Sequence, residues 1–142
     1  MTSFSHPKKL SIVISCIDYR FWPQALPLLK KKYGEFDLIE MAGASKNLAS
    51  PLEEQDKIAI LENIDIAAKL HHSQRLILTN HMDCGAYGGS KIFKSKEEEI
   101  QFHKKELAKA KKIVQKKFPG LIVKTEFLVI SKDKNKIKLY AR

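Results

Sequence analysis

The sequence predicts an α/β fold in three layers: a central, mostly parallel β-sheet (about four parallel strands plus a short last strand) flanked by helices. Three observations predict it. Short apolar runs alternate along the chain with longer amphipathic stretches, the pattern of strands joined by crossover helices. The clearest of these runs is continuous and rich in β-branched residues, as in a strand covered on both faces. The 142 residues are enough for one domain with its own core, and no repeat or low-complexity linker interrupts them. A single domain over 1–142 is therefore expected.

Residues 10–16 (LSIVISC) read as the first strand. Residues 23–33 (PQALPLLKKKY) read as a helix, with Pro23 suited to its first turn and Gly34 to its end. Residues 36–41 (FDLIEM) form the second strand, and a loop of small residues, 42–50, follows. Residues 51–71 form a long helix, capped by Ser50 with Glu53 completing a capping box. Ile58, Leu61, Ile64 and Ala68 recur there at helical spacing. Residues 75–80 (RLILTN) are the third strand. Residues 96–118 are the third helix, stopped by Pro119 and Gly120. It is highly charged with a thin apolar stripe (Ile100, Leu107, Ile113), the mark of a surface helix with one buried side. Residues 121–130 are the fourth strand, 133–136 a turn, and 137–140 the short last strand.

Composition narrows the function. No apolar run approaches the ~20 residues that span a bilayer, and the lysine-bearing start leads only into the short run 10–14, unlike a signal peptide. A cytoplasmic protein without membrane partners is expected. The net charge of +10 comes mostly from lysines spread over the chain, with no aromatic-basic stripe. That favours a solvated surface over a specific nucleic-acid site, while still attracting small anions. Two cysteines make no disulfide framework; in a reducing compartment they are metal ligands, nucleophiles or core filler.

The fold suggests which. In parallel sheets, the loops at the carboxyl ends of neighbouring strands form the binding crevice. Cys16 stands at the end of strand one, in Cys16-Ile17-Asp18-Tyr19-Arg20. His81 and Cys84 follow strand three, in His81-Met82-Asp83-Cys84-Gly85. If those strands are neighbours, the three side chains converge. Zinc takes thiolate and imidazole ligands in a tetrahedron, and three protein ligands leave a fourth position for water, Asp18 or another group. A cysteine at a strand end is otherwise simply buried, and His-x-x-Cys alone is weak. Their joint place at one sheet edge, with Asp18 and Arg20 beside them, favours the metal.

Cys-x-Asp-x-Arg after the first strand, followed much later by His-x-x-Cys-Gly, resembles the signature of the β-class carbonic anhydrases; the chain reads as a small, divergent member. The likeness runs from about Leu10 to Tyr140 and includes the Ala42-Gly43 pair and the late apolar strand. It implies that Cys16, His81 and Cys84 bind Zn2+ as cofactor and that Asp18 and Arg20 form a catalytic dyad. Arg20 would clamp Asp18 by a bidentate ion pair; released, Asp18 is a fourth ligand that closes the site. The implied activity is that of a carbonate dehydratase-like zinc lyase: reversible hydration of carbon dioxide to bicarbonate by zinc-activated hydroxide. His71, His72 and His103 are chemically able to pass on the proton. Related enzymes are dimers with pockets between subunits, so a homodimer or higher homo-oligomer is implied.

The likeness fails after strand two. Where the family carries Arg-Asn-Ala-Gly, this chain has Glu40 and Met41 before Ala42-Gly43. The loop 42–47 could still present backbone N–H groups to a substrate oxygen, since Gly43 permits close approach; the alternative is a plain connecting loop. Two other readings stand beside the hydratase: a zinc hydrolase of carbonyl sulfide or carbon disulfide, and a non-catalytic zinc-binding member. The Gly-rich run 85–89 lacks the Lys-Ser/Thr pair of a phosphate loop and reads as a flexible connection leaving the metal site.

Overall fold

The structure, a computed structural model, describes residues 9–133 and 135–141. Residues 1–8, which include most of the lysine-bearing start, lie outside this description, as do Arg142 and Lys134 of the expected turn. The elements run β1 (Ser11–Ser15), α1 (Trp22–Tyr33), β2 (Phe36–Glu40), α2 (Lys46–Ala49), α3 (Glu54–His71), β3 (Arg75–His81), α4 (Lys96–Lys117), β4 (Ile122–Ile130) and β5 (Ile137–Leu139). Two short 3-10 turns, Gly85–Tyr87 and Ser90–Ile92, lie between β3 and α4.

The sheet order is β2-β1-β3-β4-β5. The first three ladders are parallel and the last is antiparallel, as the expected fold requires. The alternation of side chains along the central strands sorts them into two layers. Val13 and Ile77, opposite each other in register, pack with Leu29 of α1 on one face. Ile12, Ile14, Leu76 and Leu78 point to the other face, into a core shared with α3 and α4. Both faces of β1 are therefore covered, which is why its apolar run shows no polar alternation.

Three local details differ from the sequence reading. The helix expected over 51–71 starts at Glu54. Its N-cap is Glu53, paired with Asp56 in a capping box, in place of Ser50 paired with Glu53. The reason is Pro51: the residue before a proline is pushed out of the helical region, and Ser50 lies outside it at φ −148, ψ 62. Its hydroxyl donates instead to Glu106 Oε2 at 3.0 Å. Next, the loop 42–50 contains the one-turn helix α2, whose Asn47, Leu48 and Ala49 are buried. Finally, α3 buries Ile60 and Ile64 and leaves Ile58, Ile66 and Leu70 exposed.

Helix α4 has the expected buried side, but it is not purely apolar. Ile100, Leu107, Ala110 and Val114 share it with Glu99, His103 and Glu106. Ser95 caps the helix by accepting from Glu98 N–H, and Glu97, Glu98 and Glu99 crowd its positive end.

Candidate metal centre

Because β1 and β3 are parallel neighbours, with Ile14 opposite Leu78, the chain leaves both strands at the same edge of the sheet. Cys16 follows β1 directly, and His81 is the last residue of β3, one residue beyond the expected strand. Cys16, His81 and Cys84 are all buried, and one donor atom from each lies within 4.8 Å of the others. A tetrahedral zinc asks for sulfurs about 3.8 Å apart, so the three donors are close enough to converge on one ion.

The chemistry of the donors fits a cation. His81 Nδ1–H donates to the Met82 carbonyl at 2.7 Å. That fixes the tautomer and leaves the Nε2 lone pair free. Nε2 is buried and has no hydrogen-bond partner. An orphaned acceptor beside two buried sulfurs is costly unless something electropositive joins them. Phe21, at the start of α1, stacks on the imidazole with ring centroids 4.1 Å apart and keeps water from that side. The thiols are paired as well. A hydrogen bond from Cys84 holds the Cys16 thiol far below its ordinary pKa, and sharing the proton pushes Cys84 the other way. Two sulfurs so close resist ionising together, and a cation between them would favour both thiolates.

Asp18 and Arg20 meet as the sequence suggested. Arg20 Nε donates to Asp18 Oδ1 at 3.1 Å and Nη2 to Oδ2 at 2.7 Å, a bidentate clamp. This holds the Asp18 carboxyl well below the usual carboxylate range. Asp18 Oδ2 remains 3.8 Å from His81 Nε2. Arg20 also reaches a partner that the sequence reading assigned no role: Nη1 donates to Asp83 Oδ2 at 2.8 Å and Nη2 to the Asp83 carbonyl at 2.9 Å. Asp83 sits in the left-handed region at φ 56. Ser90 N–H donates to its Oδ1, and with Arg20 this holds the Asp83 carboxyl low.

The loop after β2 uses its amides internally. Gly43 N–H donates to Cys16 Sγ at 3.4 Å, Ala44 N–H to the Met41 carbonyl and Ser45 N–H to Asn80 Oδ1. The expectation that residues 42–47 offer N–H groups to a substrate is thus corrected: these three amides are taken up in holding the turn and one sulfur. The Gly-rich run is likewise more than a slack connector, since Gly88 N–H donates to the Gly85 carbonyl and Gly89 N–H to that of Cys84. Of the candidate proton carriers, His71 pairs with Asp37 at the opposite edge of the sheet, where His72 also ends α3. His103 is fully buried within the layer of α4.

Outside the donors lies an open pocket of about 430 Å³, lined by Ile17, Asp18, Tyr19, Ala42, Gly85 and Ala86 among others. Its wall is largely apolar, with Asp18 and Arg20 on one side. A second cleft of similar size, between α3 and α4, is lined by Ile58, Leu61 and Lys117 and contains neither His nor Cys.

This architecture is that of the β-carbonic anhydrases. One of two tetrameric β-carbonic anhydrases from the filamentous ascomycete Sordaria macrospora superposes with a TM-score of 0.59 at 14% identity, covering 97% of this chain and 83% of its own. The carbonic anhydrase of Glaciozyma antarctica gives 0.56 at 15% identity, covering 96% of this chain and 86% of its own. Residues 6–137 match the model of the family described as "Putative carbonic anhydrase", and the chain belongs to that family. It is also similar to uncharacterized proteins of Rickettsia bellii (strain RML369-C) and Rickettsia conorii (strain ATCC VR-613 / Malish 7). Each is 32% identical over 120 residues, which cover 81% of this chain and 73% and 64% of theirs.

Proposed function

We propose that this protein is a zinc-dependent carbonic anhydrase that reversibly hydrates carbon dioxide to bicarbonate, with Cys16, His81 and Cys84 as the zinc ligands. The observation that carries the reading is the convergence of two buried sulfurs and an unpartnered imidazole nitrogen at one sheet edge. When bound there, zinc makes hydroxide available from water at neutral pH. The chain's own residues do the rest. The apolar wall of Ile17, Ala42 and Ala86 suits a linear, uncharged substrate. Asp18, held away by Arg20, keeps an acceptor oxygen beside the site to orient the attacking water by a hydrogen bond. Arg20 keeps that carboxylate ionised and off the metal. Were the clamp to open, Asp18 would be free to serve as a fourth ligand.

Assembly as a homodimer or higher homo-oligomer belongs to this reading, supported by the tetrameric β-carbonic anhydrases of Sordaria macrospora that share the fold. No helix among the described residues is long and apolar enough to cross a membrane, and a cytoplasmic site is the proposed location. Stopped-flow hydration of carbon dioxide across pH, with zinc-loaded and zinc-stripped protein, tests the activity. A zinc-dependent rate above buffer at alkaline pH is expected, and its absence would end the hydratase assignment. The largely apolar wall of the pocket favours a second reading, since it also suits carbonyl sulfide or carbon disulfide, while Met41 packs against the core where the family carries a polar residue. Release of sulfide from either compound, without carbon dioxide hydration, would select that hydrolase.

A further inference from the structure

Glu99 on α4 is 2% exposed. A carboxylate so far from water needs donors on its oxygens, and Glu99 finds them on the loop that carries Cys84. Asp83 N–H donates to Oε2 at 2.8 Å, and Ser90 Oγ–H donates to Oε1 at 2.8 Å. Ser90 N–H in turn donates to Asp83 Oδ1 at 2.8 Å. These bonds close a ring through Glu99, Asp83 and Ser90. They fix Asp83 in a left-handed backbone conformation, one that aspartate adopts more readily than most residues with a Cβ. In that conformation both the carboxylate and the carbonyl of Asp83 meet Arg20.

We propose that Glu99 is a positioning residue of the metal site: through Asp83 and Ser90 it anchors Arg20 where Arg20 keeps Asp18 off the metal. The inference rests on the zinc reading above. Arg20 is partly exposed and only two residues from Asp18, so without an anchor the pair moves as one. Asp18 has two competing attractions, the guanidinium and the metal, and already lies 3.8 Å from the imidazole nitrogen of His81. Freeing Arg20 from Asp83 therefore releases Asp18 toward the fourth position. Glu99 sets that balance from behind the loop, touching neither Arg20 nor Asp18.

The test uses the cobalt(II)-substituted protein, titrated with azide at fixed pH and followed by its visible spectrum. Glu99→Ala is expected to keep one cobalt per chain with thiolate charge-transfer bands, but to bind azide about tenfold or more weakly, the usual scale for supporting residues. Glu99→Gln, whose amide oxygen still accepts from Asp83 N–H, is expected to lie between. In an Asp18→Asn background the effect of Glu99→Ala should vanish, because a carboxamide is a poor competitor for the metal. Wild-type azide affinity in Glu99→Ala, or an effect undiminished in Asp18→Asn, would overturn the proposal. Should Glu99→Ala fail to fold, Ser90→Ala, which removes one donor, must weaken azide binding in the same Asp18-dependent way; no weakening overturns the proposal equally. Wild-type protein without thiolate bands would overturn the zinc reading and this inference with it. Intact bands with azide binding indifferent to Glu99 would overturn this inference alone.

Discussion

Gly43 gives the sharpest test of how the site is built, because two separate costs meet there. Its φ is +84, and a Cβ added to it would lie 3.0 Å from Ala86 Cβ and 3.1 Å from Lys46 Cβ. The left-handed backbone costs a non-glycine residue about 1–2 kcal/mol, and overpacking adds about 1–3 kcal/mol. Gly43→Ala should therefore lose about 3 kcal/mol. At about 3 °C per kcal/mol for a chain of this size, the melting temperature falls by about 10 °C. Two other glycines separate the costs. Gly34 has φ 83 and ψ −157, a region nearly confined to glycine that costs about 1–3 kcal/mol, but nothing within 4 Å of an added Cβ, so Gly34→Ala should show a backbone cost alone, a fall of about 3–9 °C. Gly120 has neither constraint, and Gly120→Ala should be neutral or slightly stabilising. Gly43 also donates to Cys16 Sγ, and Ala86 is two residues from Cys84. Relief of the clash must move one sulfur against the other, so zinc affinity should fall about 10–100-fold in Gly43→Ala only. Calorimetric melts and competition with a chelator measure both. A Gly43→Ala protein no less stable than Gly34→Ala, with unchanged zinc affinity, refutes the argument.

Other consequences can be checked independently. Cys84→Ser should hold far less than one zinc per chain by elemental analysis, and undiminished zinc would remove Cys84 from the ligand set. Arg20→Lys keeps the charge but loses the two-pronged fork on Asp18; hydration should slow by about tenfold or more with zinc content unchanged, and a wild-type rate would discard the clamp. Burial holds the pKa of His103 down to about 4, from an ordinary value of 6.5. The unfolded chain therefore takes up this proton below about 6.5 and the folded protein only near 4. Stability falls as pH drops through that window by about 1.4 kcal/mol per unit, about 3 kcal/mol in all. Urea midpoints of His103→Phe should lose this part of the slope between those values, and an unchanged slope would contradict the assignment.

The convergence of Cys16, His81 and Cys84 was legible because they lie at or just past the ends of strands whose apolar runs are unmistakable, and parallel topology brings such ends together. The pairing of Asp18 with Arg20 was legible only through the resemblance that Cys-x-Asp-x-Arg carries. The start of α3 was not, because Glu53 fits two capping boxes, one with Ser50 and one with Asp56, and only the conformation imposed by Pro51 selects between them. The turn of α2 is too short for any periodicity to announce it. Asp83 and Glu99 were hidden for a different reason. Three glutamates in a row at a helix start read as a solvated, dipole-favoured end, and Glu97 and Glu98 behave so. What buries Glu99 is a loop folding onto it from earlier in the chain, which no local pattern records.

The adjacency of β1 and β3 has a kinetic consequence. Between them in the chain lie α1, β2, α2 and α3. A parallel ladder between such distant segments forms only after a long loop has closed, and contacts of that separation form slowly. Cys16 cannot meet His81 and Cys84 until the central ladder is in place. A metal ion would thus arrive at a finished cleft and could not template it. Zinc present from the first moment of refolding should leave the folding rate unchanged and act almost wholly by slowing unfolding.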